Sequence, residues 1–258
     1  MSRRRLFVSS EHGGCDVPRE WQPRFAGHEA ILHGHRGWDP GSLQLAREMA
    51  TVLDAPLVAS TTTRLLVDLN RSIWNPALHG EMIRDLPAAE RQRIIAQHWR
   101  PHRNAIEGAI DAAVATGDTA LHIASHSFVP ELDGEVRHAD VGFLYDPARP
   151  GEVAFAAAWR AALRTRRRDL LLRRNYPYQG KGDGLTSTLR KRHPPDRYVG
   201  LELEVNQRFM LEGGRAWHDI RAALVDSLRE ALDATGAGRP GLSSAAPAAP
   251  PARSRARG

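Results

Sequence analysis

The sequence predicts an α/β fold, with a mainly parallel or mixed central sheet and helices on both faces, and two observations lead to it. Short apolar runs of strand length alternate with amphipathic segments of helical period, the pattern of β-α-β units. Strands that alternate with helices imply a mainly parallel sheet covered on both faces. Clusters rich in His, Glu and Asn fall where those runs end, and the ligand crevice of an open α/β sheet lies beyond the carboxyl ends of its strands.

Taken in order, Arg5–Ser10 reads as a short buried strand that runs into a Gly-Gly turn at 13 and 14. Gly41–Leu53 places Leu43, Ala46, Met49, Ala50 and Leu53 at helical spacing, and Pro56–Ser60 is the next strand. Ala88–Thr116 is a long helical stretch with Ile94, Ile95, Ile106, Ile110 and Val114 on one face; Pro101, which lacks an N–H, is expected to break or kink it. Ala120–Ser125 is the clearest central strand and delivers His126, Ser127 and Phe128 to the sheet edge. Val141–Tyr145 is a further strand, Glu152–Arg164 an Ala-rich helix and Leu170–Arg173 a short strand. Glycines at 180, 182 and 184 make Tyr176–His193 a loop. Tyr198–Val205 is the last strand, and Arg215–Ala234 a closing helix with a packing stripe of Ile220, Leu224, Leu228 and Leu232.

The 258 residues suffice for one α/β domain over residues 1–235. Residues 236–258 are Pro, Ala, Gly and Ser with one leucine, four arginines and no acid, and are expected to be a disordered tail. Without that tail the net charge falls from +6 to +2, an ordinary balance that argues against nucleic acid as the partner. The basic run Arg164–Arg168 sits where a helix ends, which suits cations. No apolar run reaches the roughly 18 residues of a membrane span, and Cys15 has no thiol to pair with, so a cytoplasmic protein is expected.

Three polar clusters fall at strand ends. In Glu11-His12-Gly13-Gly14 the glycines open the backbone beside an imidazole, so a metal or substrate can approach; a solvated loop histidine is the plainer alternative. Ser125-His126-Ser127-Phe128 follows a mostly apolar strand and reads equally as a half-buried, hydrogen-bonded histidine or as a functional one. Glu202 and Glu204 share one face of a strand, which is costly in a central strand unless a cation sits there and unremarked on an edge. Arg64, Asp68, Asn70 and Arg71 suit either an internal ion pair or an acidic ligand, since a guanidinium grips a carboxylate bidentately. The sequence contains no HExxH, P-loop, GxSxG elbow or GxGxxG after a strand, and nothing marks Cys15 as a nucleophile.

In this order, the motifs resemble the N-formylglutamate amidohydrolase family over roughly residues 5 to 235. They are Ser10-Glu-His-Gly-Gly14 with Val17-Pro18, Asp39-Pro-Gly41, Arg64-Leu-Leu-Val-Asp-Leu-Asn-Arg71, Ser125-His-Ser-Phe128 with Pro130, Asn175-Tyr-Pro-Tyr178 and Glu204-Val-Asn-Gln207. The resemblance implies a fold related to zinc carboxypeptidases and aspartoacylase-like deacylases, and hydrolysis of the amide of an N-formyl or N-acyl acidic amino acid. It implies one zinc ion held by His12, His126 and a carboxylate, for which Asp39 is preferred over Glu11 and Asp16; aspartoacylase-like enzymes use a Glu where Cys15 stands here. Glu204 is the implied general base. Arg71 with Arg64 or Arg190, together with Asn70, Ser127, Asn175 and Tyr178, is the implied substrate-binding set. A metallo-carboxypeptidase or peptidoglycan-type amidase, and a non-catalytic polyanion-binding protein, are the alternatives.

Overall fold

Six strands form the central sheet of this computed structural model, which describes residues 3–236. The tail expected at 236–258 lies, but for Gly236, outside the described residues. In chain order the elements are β1 (Arg4–Ser10), α1 (Glu29–His33), α2 (Ser42–Leu53), β2 (Leu57–Ala59), α3 (Ala88–Ile94), α4 (Arg100–Ala115), β3 (Thr119–Phe128), β4 (Glu131–Leu132), β5 (Glu135–Val136), β6 (Val141–Leu144), α5 (Pro150–Arg166), β7 (Leu172–Arg174), α6 (Leu185–Arg192), β8 (Tyr198–Asn206), α7 (Arg208–Glu212) and α8 (Gly214–Ala234).

The strand order is β2-β1-β3-β8-β6-β7. The first four strands run parallel, and β6 pairs antiparallel with β8 while running parallel to β7. This mixed sheet follows from the β4–β5 hairpin. Asp133 and Gly134 both adopt positive φ there, as a tight hairpin turn requires, and they reverse the chain between β3 and β6.

Alternation along the strands sends side chains to two cores. Val8, Leu121, Ile123, Leu201, Leu203 and Val205 pack with Leu45 and Met49 of α2, Phe155 and Trp159 of α5, and Leu224 and Leu228 of α8. Phe7, Ala120 and Tyr198 pack on the other face with Ile106 and Ile110 of α4 and Leu185 and Leu189 of α6. Helices therefore cover both faces, and each fully buried Leu, Ile or Phe contributes about 1.5–3 kcal/mol. A third core, including Trp21, Leu66, Val67, Leu69 and Ile83, supports the irregular segment 60–87.

Two local expectations need correction. Of the break or kink expected at Pro101, the helix shows no break but an irregular turn just before the proline. The chain passes from α3 to α4 through a π turn, Ile95–Trp99, in which the Arg100 N–H reaches the Ile95 carbonyl; the wider turn accommodates the missing proline N–H. The loop expected at Tyr176–His193 contains α6. Its two apolar side chains, Leu185 and Leu189, are one helical turn apart and fully buried, and the glycines that suggest a loop end at Gly184, the residue before the helix. Two of the four arginines in the basic run at the end of α5 are paired: Arg166 contacts Asp226 and Glu230, and Arg167 contacts Asp169. Among the described residues, no helix is long and apolar enough to cross a membrane.

Candidate active site

Strand pairing decides what meets at the carboxyl edge. His126 on β3 and Glu204 on β8 are register partners, so their side chains leave the same face of neighbouring strands, roughly 5 Å apart at the backbone. β8 lies between β3 and β6, which rules out a water-facing edge for Glu202 and Glu204. His12 follows β1, the neighbour of β3 on its other side. Glycine is required next to it. A Cβ on Gly13 would stand 2.8 Å from the Ser60 carbonyl oxygen and 2.9 Å from Leu43 Cβ, so a larger residue would push the His12 turn off the 60–61 backbone. The Asp39 N–H donates to the His12 carbonyl at 2.9 Å, which brings the loop before α2 onto the same spot.

His12, Asp39 and His126 are buried and offer ligand atoms within 4.8 Å of one another. Both Nδ1 atoms face Asp39 Oδ2, at 3.3 Å for His12 and 2.8 Å for His126, and the rings lie 5.1 Å apart. The far side of His12 is held as well: its Nε2 is 2.7 Å from Asp68 Oδ1, and the other Asp68 oxygen accepts from Arg64 at 2.7 Å. Two imidazoles and a carboxylate with their donor atoms converging, one ring backed by a carboxylate, are a group that could hold a divalent metal ion. Glu11 and Asp16 are not in this set. Glu11 lies on the Nε2 side of His126, and Asp16 is exposed.

Charge is concentrated here beyond what the sheet needs. Burial works against the Asp39 and Asp68 carboxylates, but the two histidines hold Asp39, and Arg64 with His12 holds Asp68, well below the usual carboxylate range. Burial likewise works against a charged His126, yet its hydrogen bond to Asp39 and the nearby Glu11 raise its affinity for a proton. Glu204 behaves in the opposite way. Burial pushes its carboxyl up to about 8, and its Oε2 is buried without a hydrogen-bond partner.

These residues open into a cleft of about 510 Å³ lined by His12, Asp39, Arg64, Asn70, Arg71, His126, Ser127, Tyr178, Glu202 and Glu204. Arg64 also approaches Asp39 Oδ1, at 3.5 Å. Arg71 donates to the Asp183 carbonyl and keeps 39% of its side chain exposed, so its fork is open to a ligand. Asn70 accepts from the first N–H of α6, Ser127 donates to the Pro40 carbonyl, and the Tyr178 hydroxyl accepts from Arg137. Asn175 and Arg190, expected in this pocket, do not line it. Asn175, at φ +48°, accepts the Tyr145 and Gly180 N–H groups through its side chain, which shapes the loop. Arg190 is tied to Glu152 and to the carbonyls of Gly180 and Gly200, where it neutralises a buried acid.

Among the lining residues that the sequence did not assign to the site are Gln207, Glu202 and His35. Gln207 closes a quoted motif and donates to Ser127, so a signal existed. Glu202 was visible as a strand partner of Glu204, whereas His35 at the rim stands in a segment without periodicity.

Over residues 4–211 the chain matches the N-formylglutamate amidohydrolase family. It belongs to that family. As a member it is a hydrolase of carbon–nitrogen bonds acting on a small molecule. Among solved structures it is similar to a gene product of Agrobacterium tumefaciens, at 26% identity and TM-score 0.76 over 89% of this chain and 91% of that one. It is also similar to the N-formylglutamate amidohydrolase of Ralstonia eutropha, at 20% identity and TM-score 0.66 over 90% and 94%, a likeness of fold. No curated protein matches the chain.

Proposed function

We propose that this family member is a metal-dependent amidohydrolase that cleaves the amide of an N-formyl or N-acyl acidic amino acid, with N-formylglutamate and water giving glutamate and formate. The observation that carries the reading is the convergence of His12, Asp39 and His126 beside Glu204, in a cleft whose wall presents Arg64 and Arg71. The donor set suits zinc, which when bound would acidify water and polarise the acyl oxygen.

Glu204 is the proton carrier. Glu204 lines the cleft, its Oε2 is buried without a hydrogen-bond partner, and a cation on the adjacent His and Asp donors would favour its ionised form. As a carboxylate it takes a proton from the attacking water, and it returns that proton to the leaving nitrogen. Arg64, fixed by Asp68, brings a permanent positive charge close to the reacting centre, where it offsets charge that develops on the acyl oxygen. Arg71 holds a substrate carboxylate with its exposed fork, and Asn70 and Ser127 shape the wall beside it.

Purified protein assayed with N-formylglutamate, an N-acylglutamate and small peptides, before and after chelation, tests this. Chelator-sensitive turnover of the acylated acidic amino acids is expected. Turnover of peptides alone would replace the substrate assignment, and full activity with no metal in the protein would remove the metal.

A further inference from the structure

Behind the candidate metal centre lies a second layer that the proposed chemistry does not use. Glu11 is completely buried, with Oε2 3.1 Å from His126 Nε2 and Oε1 3.6 Å from His102 Nε2. All four of these atoms are buried and none has an aligned hydrogen-bond partner. Four orphaned polar atoms in one place would be costly if they were unrelated. Here they face one another as two acceptors between two potential donors, so small adjustments satisfy the set.

His126 turns Nδ1 toward Asp39. A ring that uses Nδ1 as a metal ligand carries its proton on Nε2, and the carboxylate facing that Nε2 is Glu11. The arrangement repeats the one at His12, where Asp68 faces Nε2 and Arg64 donates to the second Asp68 oxygen. Each imidazole thus has a carboxylate behind it, and each carboxylate has a cation or imidazole behind it in turn. His102 comes from the start of α4, next to Pro101 and the π turn, where the wider turn carries the helix past the proline.

We propose that Glu11 and His102 are positioning residues for the metal centre: Glu11 accepts the Nε2 proton of His126 and fixes its tautomer, and His102 holds Glu11 in place. This rests on the metal reading above. The test is zinc affinity, measured by competition with a chromophoric chelator, for the wild type, Glu11→Gln, His102→Leu and the double variant, alongside the melting temperature of each metal-free protein. Wild type is expected to bind one zinc ion per chain. Glu11→Gln is expected to bind about 10- to 100-fold more weakly, and His102→Leu to weaken binding by a smaller factor. Since His102 acts through Glu11, the double variant is expected to bind no more weakly than Glu11→Gln alone. Unchanged zinc affinity in both single variants, even with lowered melting temperatures, would reduce the pair to a packing role and overturn the proposal, as would strictly additive losses. If Glu11→Gln does not fold, unchanged affinity in His102→Leu suffices to overturn it. A wild type that binds no zinc overturns the metal reading itself, and this inference with it.

Discussion

His122 lies under the site, fully buried on β3, with Nε2 2.8 Å from the Ser9 hydroxyl and Nδ1 2.9 Å from the Tyr198 hydroxyl. Burial pushes its pKa down to about 4 from an ordinary 6.5. The unfolded chain therefore binds a proton at His122 between pH 6.5 and 4 that the folded chain refuses. The stability tied to this is fully present above 6.5 and is lost as pH falls toward 4. At about 1.36 kcal/mol per unit, acidification from pH 7 to pH 4 should remove about 3 kcal/mol through this one group. Carboxylates also titrate in that window, so the comparison is with His122→Gln, which keeps a donor and an acceptor but cannot take up the proton. Urea unfolding of both proteins at pH 7 and pH 4, with excess chelator so that metal linkage adds no term of its own, should show wild type losing about 3 kcal/mol more than the variant. Equal losses would mean that His122 is protonated in the folded protein and that the neutral Ser9–His122–Tyr198 arrangement is wrong.

Glu204→Gln should retain metal and fold while kcat falls about 10²- to 10⁴-fold, the usual range for a lost general base; stopped assays with metal analysis check both halves. Arg71→Ala should raise KM about 10- to 100-fold with kcat little changed, because a charge-assisted contact to a substrate carboxylate is worth about 1.5–3 kcal/mol in ground and transition states alike. Gly13→Ala should cost about 1–3 kcal/mol by thermal or urea unfolding, since the new methyl meets the Ser60 carbonyl and Leu43.

Much of the fold is legible because burial leaves a periodic mark. β1 holds the apolar run Leu6–Val8, β3 the mostly apolar Ala120–Ala124, and the stripe along α8 repeats every four residues. α6 is hidden because eight residues with two leucines carry too little period to stand out from glycine-rich surroundings. The reversed β6 had a local signal, the Asp-Gly pair at 133 and 134, but its effect on strand direction depends on which strand β6 joins.

The site divides in the same way. His12 and His126 stand out as histidines where strands end, and nothing local says that β1 and β3 are neighbours. Asp39, 27 residues from His12 and 87 from His126, is joined to them by tertiary contacts alone. Arg190 and Asn175 mislead for a related reason: a cation among glycines and an amide in a turn look available, and each is consumed by a partner distant in sequence or by the backbone.

The register of β3 against β8 has an engineering consequence. Glu204, the proposed proton carrier, and His126, a proposed metal ligand, are spaced by backbone hydrogen bonds in the middle of a sheet rather than by a loop. The arginines that face the ligand hang instead on the irregular 60–87 segment, which rests on a core of its own. The strand pair and Arg71 are thus mounted on separate supports, while Asp68 and Arg64 reach from the second support back to His12 and Asp39. Varying Arg71 and Asn70, while Arg64, Asp68 and the buried Leu66, Val67 and Leu69 are kept, is the route by which this scaffold can accept a new acyl amino acid without resetting the catalytic spacing.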